Sequence, residues 1–293
     1  MDRAPPFQLA NNNALSLSSD FVLPEDRRPI LSEVLTSASI PIIDLNDHDI
    51  DDGLAPSPLV SKISKACHGK VTMWSETFTH PWHPMDDFTH FLPTSIPEYR
   101  DEFTEYAREI GALTDRLLSL ISQGLGLEKD CLKSKIGERP ALYSQANYYP
   151  PCPNPELTMG LPDHNDLGAL TLLLQSEGVT GLQAIKDGKW LAVDPVHNAF
   201  VVNLGDQIQV LSNGRYKSVD HRAITNDWLP RVSVAMFYSP NNETVIGPIE
   251  DLIDEDHPPM YRNYTYKEVM EEFRRQEGKR RRVKEAFAIS MQR

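Results

Sequence analysis

The chain has 293 residues, 40% hydrophobic and 24% charged, which is enough for one large domain with its own core. A formal net charge of −13 argues against general affinity for nucleic acid or anionic membrane, both of them polyanions. No apolar run reaches transmembrane length and no signal-like segment opens the chain. The scattered Cys67, Cys131 and Cys152 suit a reducing compartment without a disulfide framework, so a cytoplasmic monomer is expected.

The first forty residues, rich in Pro, Asn and Ser, read as an extended arm. "IPIIDLND", Ile40 to Asp47, follows as a short strand and "DHDIDDGLAPSP" as a loop. The stretch "SETFTHPWHPMDDF", which concentrates His80, Trp82 and His83, also reads as a loop. Apolar residues then recur at Tyr99, Phe103, Tyr106, Ile110, Leu113, Leu117, Leu120 and Ile121. That spacing predicts a long amphipathic helix ending near Gly124 and Gly126. From about Leu142 the texture changes to short β-rich runs: "ALTLLLQ", "GLQAI", "KWLAVDP", "AFVVNLG", "YKSVDHRAI" and "RVSVAMFY". Gly, Pro and Asn separate them, the pattern of a sandwich or barrel of antiparallel strands. A last helix is expected through "TYKEVMEEFRRQ". The basic run "GKRRRVKE", Gly278 to Glu285, reads as a solvated helix face, with a nuclear address as the less favoured reading. The expected organisation is mainly β with flanking helices: an arm and helical flank over 1–140, a β core over 141–250 and a helical segment over 251–293, together one unit.

In "GLPDHNDLGALTLLLQ", His164 and Asp166 stand two apart. On a strand they would share a face, with Asn165 turned away. His221 in "KSVDHRAITN" offers a third donor. Two histidines and a carboxylate make the facial triad of non-haem Fe(II) oxygenases, although an isolated H-x-D is common by chance. In "RVSVAMFYSP", Arg231, Ser233, Ala235 and Phe237 share one face while Val232, Val234 and Met236 take the other. An inward guanidinium needs an anionic partner, a protein carboxylate or the far carboxylate of a dicarboxylic cosubstrate whose other end chelates a metal, unless it sits at the strand's wet end. Asp163 is expected to cap or to be solvated, and Asp206 in "NLGDQIQ" to order a turn.

The segments "ANYYPPCPNPELTMGLPDHNDLGALTLLLQ", "GLQAIKDGKWLAVDPVHNAFVVNLGDQIQVLSNGRYKSVDHRAITN" and "RVSVAMFYSP" together resemble plant Fe(II)- and 2-oxoglutarate-dependent dioxygenases. The nearest resemblance is to the flavanone 3-hydroxylase-like and salicylate-hydroxylase-like branch, and it runs from about Val71 to Phe287. It implies a double-stranded β-helix, or jelly roll. It further implies iron ligands His164, Asp166 and His221, and a 2-oxoglutarate grip from Arg231 and Ser233, with Asn147 and Tyr149 lining the pocket. Phe237 matches an aromatic that stacks on flat phenolic substrates, and Trp82 falls in a region bordering the substrate entrance. The implied activity is oxidative decarboxylation of 2-oxoglutarate to succinate and CO₂, coupled to hydroxylation or desaturation of a small phenolic or flavonoid-like metabolite. O₂ is consumed and ascorbate supports turnover.

The chain departs from this family in one place. "LVSKISKAC" runs directly into "HGKVTMWSETF" without the "WGFFQVINHG"-like strand of relatives, which reads as a deletion near Cys67 and His68. Loss of that strand would expose a sheet edge and alter the substrate wall. The alternative reading is therefore a catalytically impaired variant that acts, if at all, in binding or regulation.

Overall fold

A computed structural model describes residues 22–23, 25, 28–29, 73–82, 97–276 and 283–289. The "IPIIDLND" strand and the junction near Cys67 and His68 lie outside the described residues.

Eleven strands are described. Five form one sheet in the order β1 (Glu76–Pro81), β2 (Ala141–Tyr149), β9 (Arg231–Ser239), β4 (Leu170–Gln175) and β7 (Val201–Leu204). A second sheet has the order β3 (Leu161–His164), β8 (His221–Ala223), β5 (Leu182–Lys186) and β6 (Lys189–Val193), and β10 (Val245–Ile246) pairs with β11 (Tyr264–Thr265). Every pairing is antiparallel. Leu173, Ala235 and Phe237 of the first sheet pack against Leu182 and Val193 of the second. This is the jelly-roll core. Between its sheets lies a cavity walled by both.

The opposite face of the five-stranded sheet supports the helical flank. Leu170, Leu172, Met236 and Tyr238 share one buried cluster with Phe103, Ile110, Leu117 and Leu118 of α1 (Pro97–Gly124). Strand β4 is thus covered on both sides, which is why "LTLLL" reads as an unbroken apolar run. The helical face expected from apolar spacing is slightly rotated: Leu120 is 50% exposed, while Thr114 and Ser122 are buried. Their hydroxyls donate to the carbonyls of Ile110 and Leu118, both at 2.8 Å, so they enter the core already satisfied.

Three short α-helices also lie among the described residues: α2 (Cys131–Ile136), α3 (Asp206–Leu211) and α4 (Tyr266–Arg275). The last is the expected C-terminal helix, started by a reciprocal Thr265–Glu268 capping box. No described helix is long and apolar enough to cross a membrane.

Two local expectations are corrected. "ETFTHP" is strand β1 rather than a loop, because its backbone pairs in register with β2 from Glu76↔Tyr148 to Pro81↔Tyr143. Among the described residues β1 is the edge strand of its sheet. Within "YKSVDHRAI" only His221–Ala223 are strand. The backbone before them turns to α3, where Ser218 N–H donates to Gln209 Oε1 at 2.9 Å.

Candidate metal centre

His164 and His221 are register partners across β3 and β8. Asp166 lies beyond the end of β3, with a register shift between Leu161 and His164, so simple alternation on one strand is not what places it. The strand ends and the chain turns, yet the three side chains meet. One ligand atom from each lies within 4.8 Å of the others, and all three residues are buried. His164 Nε2 and His221 Nε2 stand 3.8 and 3.6 Å from Asp166 Oδ1.

The hydrogen bonds fix which nitrogens face inward. His164 Nδ1 lies 2.7 Å from the Pro162 carbonyl oxygen, and His221 Nδ1 lies 3.1 Å from that of Val219. A carbonyl only accepts, so each Nδ1 carries a proton and Nε2 is the nitrogen of each ring that faces Asp166. Both Asp166 carboxylate oxygens are buried without a hydrogen-bond partner. Two imidazole nitrogens and a buried carboxylate thus converge on one point, a donor set that suits a bound cation.

Next to this cluster, β9 and its neighbours bring a buried guanidinium, a phenol and a hydroxyl together. Arg231 pairs in register with Tyr149, and Ser233 with Asn147 and, on the other side, Gln175. Arg231 is 2% exposed, which excludes a wet strand end. Its Nη2 donates to Gln175 Oε1 at 2.7 Å, and its Nε and Nη1 are buried without partners. Among the described residues no carboxylate lies within ion-pair distance of it. Burial draws the guanidinium below its ordinary pKa, and Tyr149 opposes that shift. The Tyr149 ring centroid is 5.0 Å from Arg231 Cζ. Burial raises the Tyr149 phenol, with Arg231 and the Ser233 hydroxyl pulling against it. Asn147 is held by neighbours: its Oδ1 accepts from Thr77 Oγ1 at 3.1 Å and from Gln145 Nε2 at 2.9 Å.

His164, Asp166, His221, Asn147, Tyr149, Arg231, Ser233 and Phe237 all line the one cavity between the sheets. Phe237 stacks on Tyr143, with centroids 4.7 Å apart and ring planes at 13°. Trp82 does not join them. It is fully buried in the core against Phe103, and its Nε1–H donates to Ser144 Oγ at 2.9 Å, so the expected place at a substrate entrance is corrected to a packing role.

Sequence reasoning missed several supporting residues. Gln175 shares a face of β4 with Thr171 and Leu173, so period-two alternation would have directed it inward. Gly181 and Gly160 carry no such local signal. A Cβ on Gly181 would lie 2.6 Å from Arg231 Cδ, and one on Gly160 would lie 2.6 Å from Tyr149 Cδ1. Asp206, at the start of α3, is buried, and its carboxyl is raised by burial with Lys284 countering it. Lys284 belongs to the basic run expected to be solvated, yet its side chain is only 11% exposed.

Residues 142–240 match the 2OG-Fe(II) oxygenase superfamily. Protein DMR6-LIKE OXYGENASE 2 of Arabidopsis thaliana is 38% identical, over 87% of this chain and 89% of the relative. Flavanone 3-dioxygenase 2 of Oryza sativa subsp. japonica is 36% identical, over 88% and 90%. The crystal structure of JOX2 in complex with 2OG, Fe and JA superposes with a TM-score of 0.80 at 29% identity, over 99% of this chain and 98% of that one. The cluster of two imidazoles and a carboxylate, the jelly roll around it and these relatives agree: the chain belongs to the 2OG-Fe(II) oxygenase superfamily, the dioxygenases that use Fe(II) and 2-oxoglutarate.

Proposed function

We propose that the chain couples oxidative decarboxylation of 2-oxoglutarate to hydroxylation or desaturation of a small, flat phenolic or flavonoid-like metabolite. In this reading His164, Asp166 and His221 hold Fe(II) through Nε2, a carboxylate oxygen and Nε2. Bound iron with 2-oxoglutarate supplies the oxidising chemistry by which O₂ is reduced. The chain's own residues bind and orient. Arg231 offers its free Nε and Nη1 to the distal carboxylate of 2-oxoglutarate, Tyr149 and Ser233 donate beside it, and Asn147 lines the approach. Tyr143 and Phe237 form an aromatic wall against which a planar ring can stack. Ala235 and Leu173 keep that wall dry.

The observation that carries the reading is Asp166: a carboxylate with both oxygens buried and without a hydrogen-bond partner, facing Nε2 of His164 and of His221 at 3.8 and 3.6 Å. The phenolic class is supported by the relative named flavanone 3-dioxygenase 2, by one named flavonol synthase/flavanone 3-hydroxylase in Arabidopsis thaliana at 40% identity over 71% of this chain, and by the aromatic wall. The test is release of labelled CO₂ from 2-oxoglutarate across a panel of phenolic substrates. Substrate-dependent release, lost in Asp166→Ala, is expected. Release that no panel member stimulates would overturn the substrate class.

A second reading, binding without turnover by a shortened chain, draws on one observation. The match to the Arabidopsis relative extends over 315 aligned residues, more than the 293 of this chain, so the relative has residues without a counterpart here. That reading predicts stabilisation by metal and 2-oxoglutarate in a thermal melt with no succinate formed.

A further inference from the structure

Asp166 sits on a connection whose backbone is gripped from behind. Residues 205–207 bind four consecutive carbonyls of that connection. Asp206 N–H donates to Asp166 O at 2.8 Å, Gln207 Nε2 to Leu167 O at 2.7 Å, Gln207 N–H to Gly168 O at 3.0 Å and Gly205 N–H to Ala169 O at 2.8 Å. The fit is close enough that a Cβ on Gly205 would lie 2.2 Å from Gly168 O. The connection therefore has little freedom to move unless 205–207 move with it.

The grip is tied in turn to the C-terminal segment. Asp206 is 1% exposed, and its Oδ1 accepts from Lys284 Nζ at 2.8 Å. Among the described residues Lys284 is the only cation within ion-pair distance of it. Lys284 opens the short 3₁₀ turn Lys284–Phe287, flanked by two core residues, Val283 at 0% and Phe287 at 3% exposure. Backbone bonds from Arg262 N–H to Phe287 O and from Ile289 N–H to Met260 O, 2.9 and 2.8 Å, pin the segment further. Removing one partner of a buried ion pair leaves the other charge uncompensated, and Asp206 would then be drawn toward water.

We propose that Lys284 is a positioning residue for the iron site: by pairing with Asp206 it locks residues 205–207 against the 166–169 connection and so fixes where the Asp166 carboxylate points. This inference rests on the iron-site reading above. It assigns to the C-terminal segment a part in metal binding although it contributes no ligand.

The test uses the full chain, with Co(II) as a redox-silent probe titrated by its visible absorption well below each variant's melting temperature. Lys284→Met is expected to weaken Co(II) binding fivefold or more. Lys284→Met combined with Asp206→Asn, in which the buried carboxylate no longer needs a cation, is expected to return to within fivefold of the wild type. Trp82→Phe serves as the control for a merely structural loss: it should lower the melting temperature and leave Co(II) affinity unchanged. A Lys284→Met protein that binds Co(II) within fivefold of the wild type overturns the proposal, as does a double variant no better than the single one. Should Lys284→Met show no cooperative melt, Lys284→Gln is read by the same fivefold criterion. Asp166→Ala sets the baseline. If the wild type binds Co(II) no better than Asp166→Ala, the iron-site reading itself fails and takes this proposal with it, a result distinct from wild-type affinity in Lys284→Met.

Discussion

The rings of His164 and His221 lie 4.2 Å apart as cross-strand partners, each with Nδ1 turned back to a carbonyl two residues earlier in its own chain. That geometry brings two ring nitrogens to 3.8 and 3.6 Å from a buried carboxylate oxygen. Asp166→Asn would place an N–H donor among them and remove the charge. One net hydrogen bond contributes about 1 kcal/mol. The metal-free variant should therefore melt at or above the wild-type temperature, while losing the stabilisation that Co(II) gives the wild type. A metal-free variant that melts well below the wild type would show that Asp166 is already paired.

Arg231 holds Gln175 with one nitrogen and keeps two in reserve. Lysine at 231 would keep the charge and lose the fork, and hydrogen bonds to charged groups are worth about 1.5–3 kcal/mol. Arg231→Lys should raise KM for 2-oxoglutarate roughly ten- to hundredfold, since about 1.4 kcal/mol is tenfold in affinity. Steady-state kinetics with varied 2-oxoglutarate reads this directly, and an unchanged KM would remove Arg231 from the role.

Gly181 leaves the space that the Arg231 side chain occupies. In Gly181→Ala the new methyl meets Arg231 Cδ at 2.6 Å and Nε at 2.9 Å, so the guanidinium must shift. A raised KM for 2-oxoglutarate is expected, with metal affinity kept because the His–Asp–His cluster is untouched. Gly111→Ala is the opposite case. It lies within α1 with nothing within 4 Å of an added Cβ, and the exchange should stabilise by about 0.5–1 kcal/mol. A thermal melt and one KM measurement for each variant check both statements.

How much of this was legible in the sequence follows from the range of each signal. Strand β9 announces Arg231, Ser233 and Phe237 as one face because alternation is local and its period does not change along the strand. His164 and Asp166 were legible as a pair, but for a different reason from the one that brings them together: the strand stops at His164 and a tight connection supplies the rest. Lys284 was illegible. Its sequence context is a run of like charges, and only the fold brings Asp206, 78 residues away, to meet it. Trp82 misled in the same way, since prolines on either side suggest a loop whereas register with β2 makes the preceding residues a strand.

Trp82 gives the last prediction. Its indole is fully buried, edge-on to His80 at 4.7 Å and tilted against Phe103 at 5.2 Å, and its N–H satisfies Ser144 Oγ at 2.9 Å. Phenylalanine would keep part of the packing. It would also leave a void and deprive a hydroxyl that is 1% exposed of its donor. Those two losses together amount to about 2–3 kcal/mol, from the cavity and unsatisfied-group costs. Each kcal/mol lowers the melting temperature by about 2–4 °C in a chain of this size, so Trp82→Phe should melt roughly 4–12 °C lower. Trp82 is not among the residues that line the cavity, whereas Phe237 is. Relative turnover across the phenolic panel should therefore keep its order. A reordered panel in a protein that still melts cooperatively would return Trp82 to the substrate entrance.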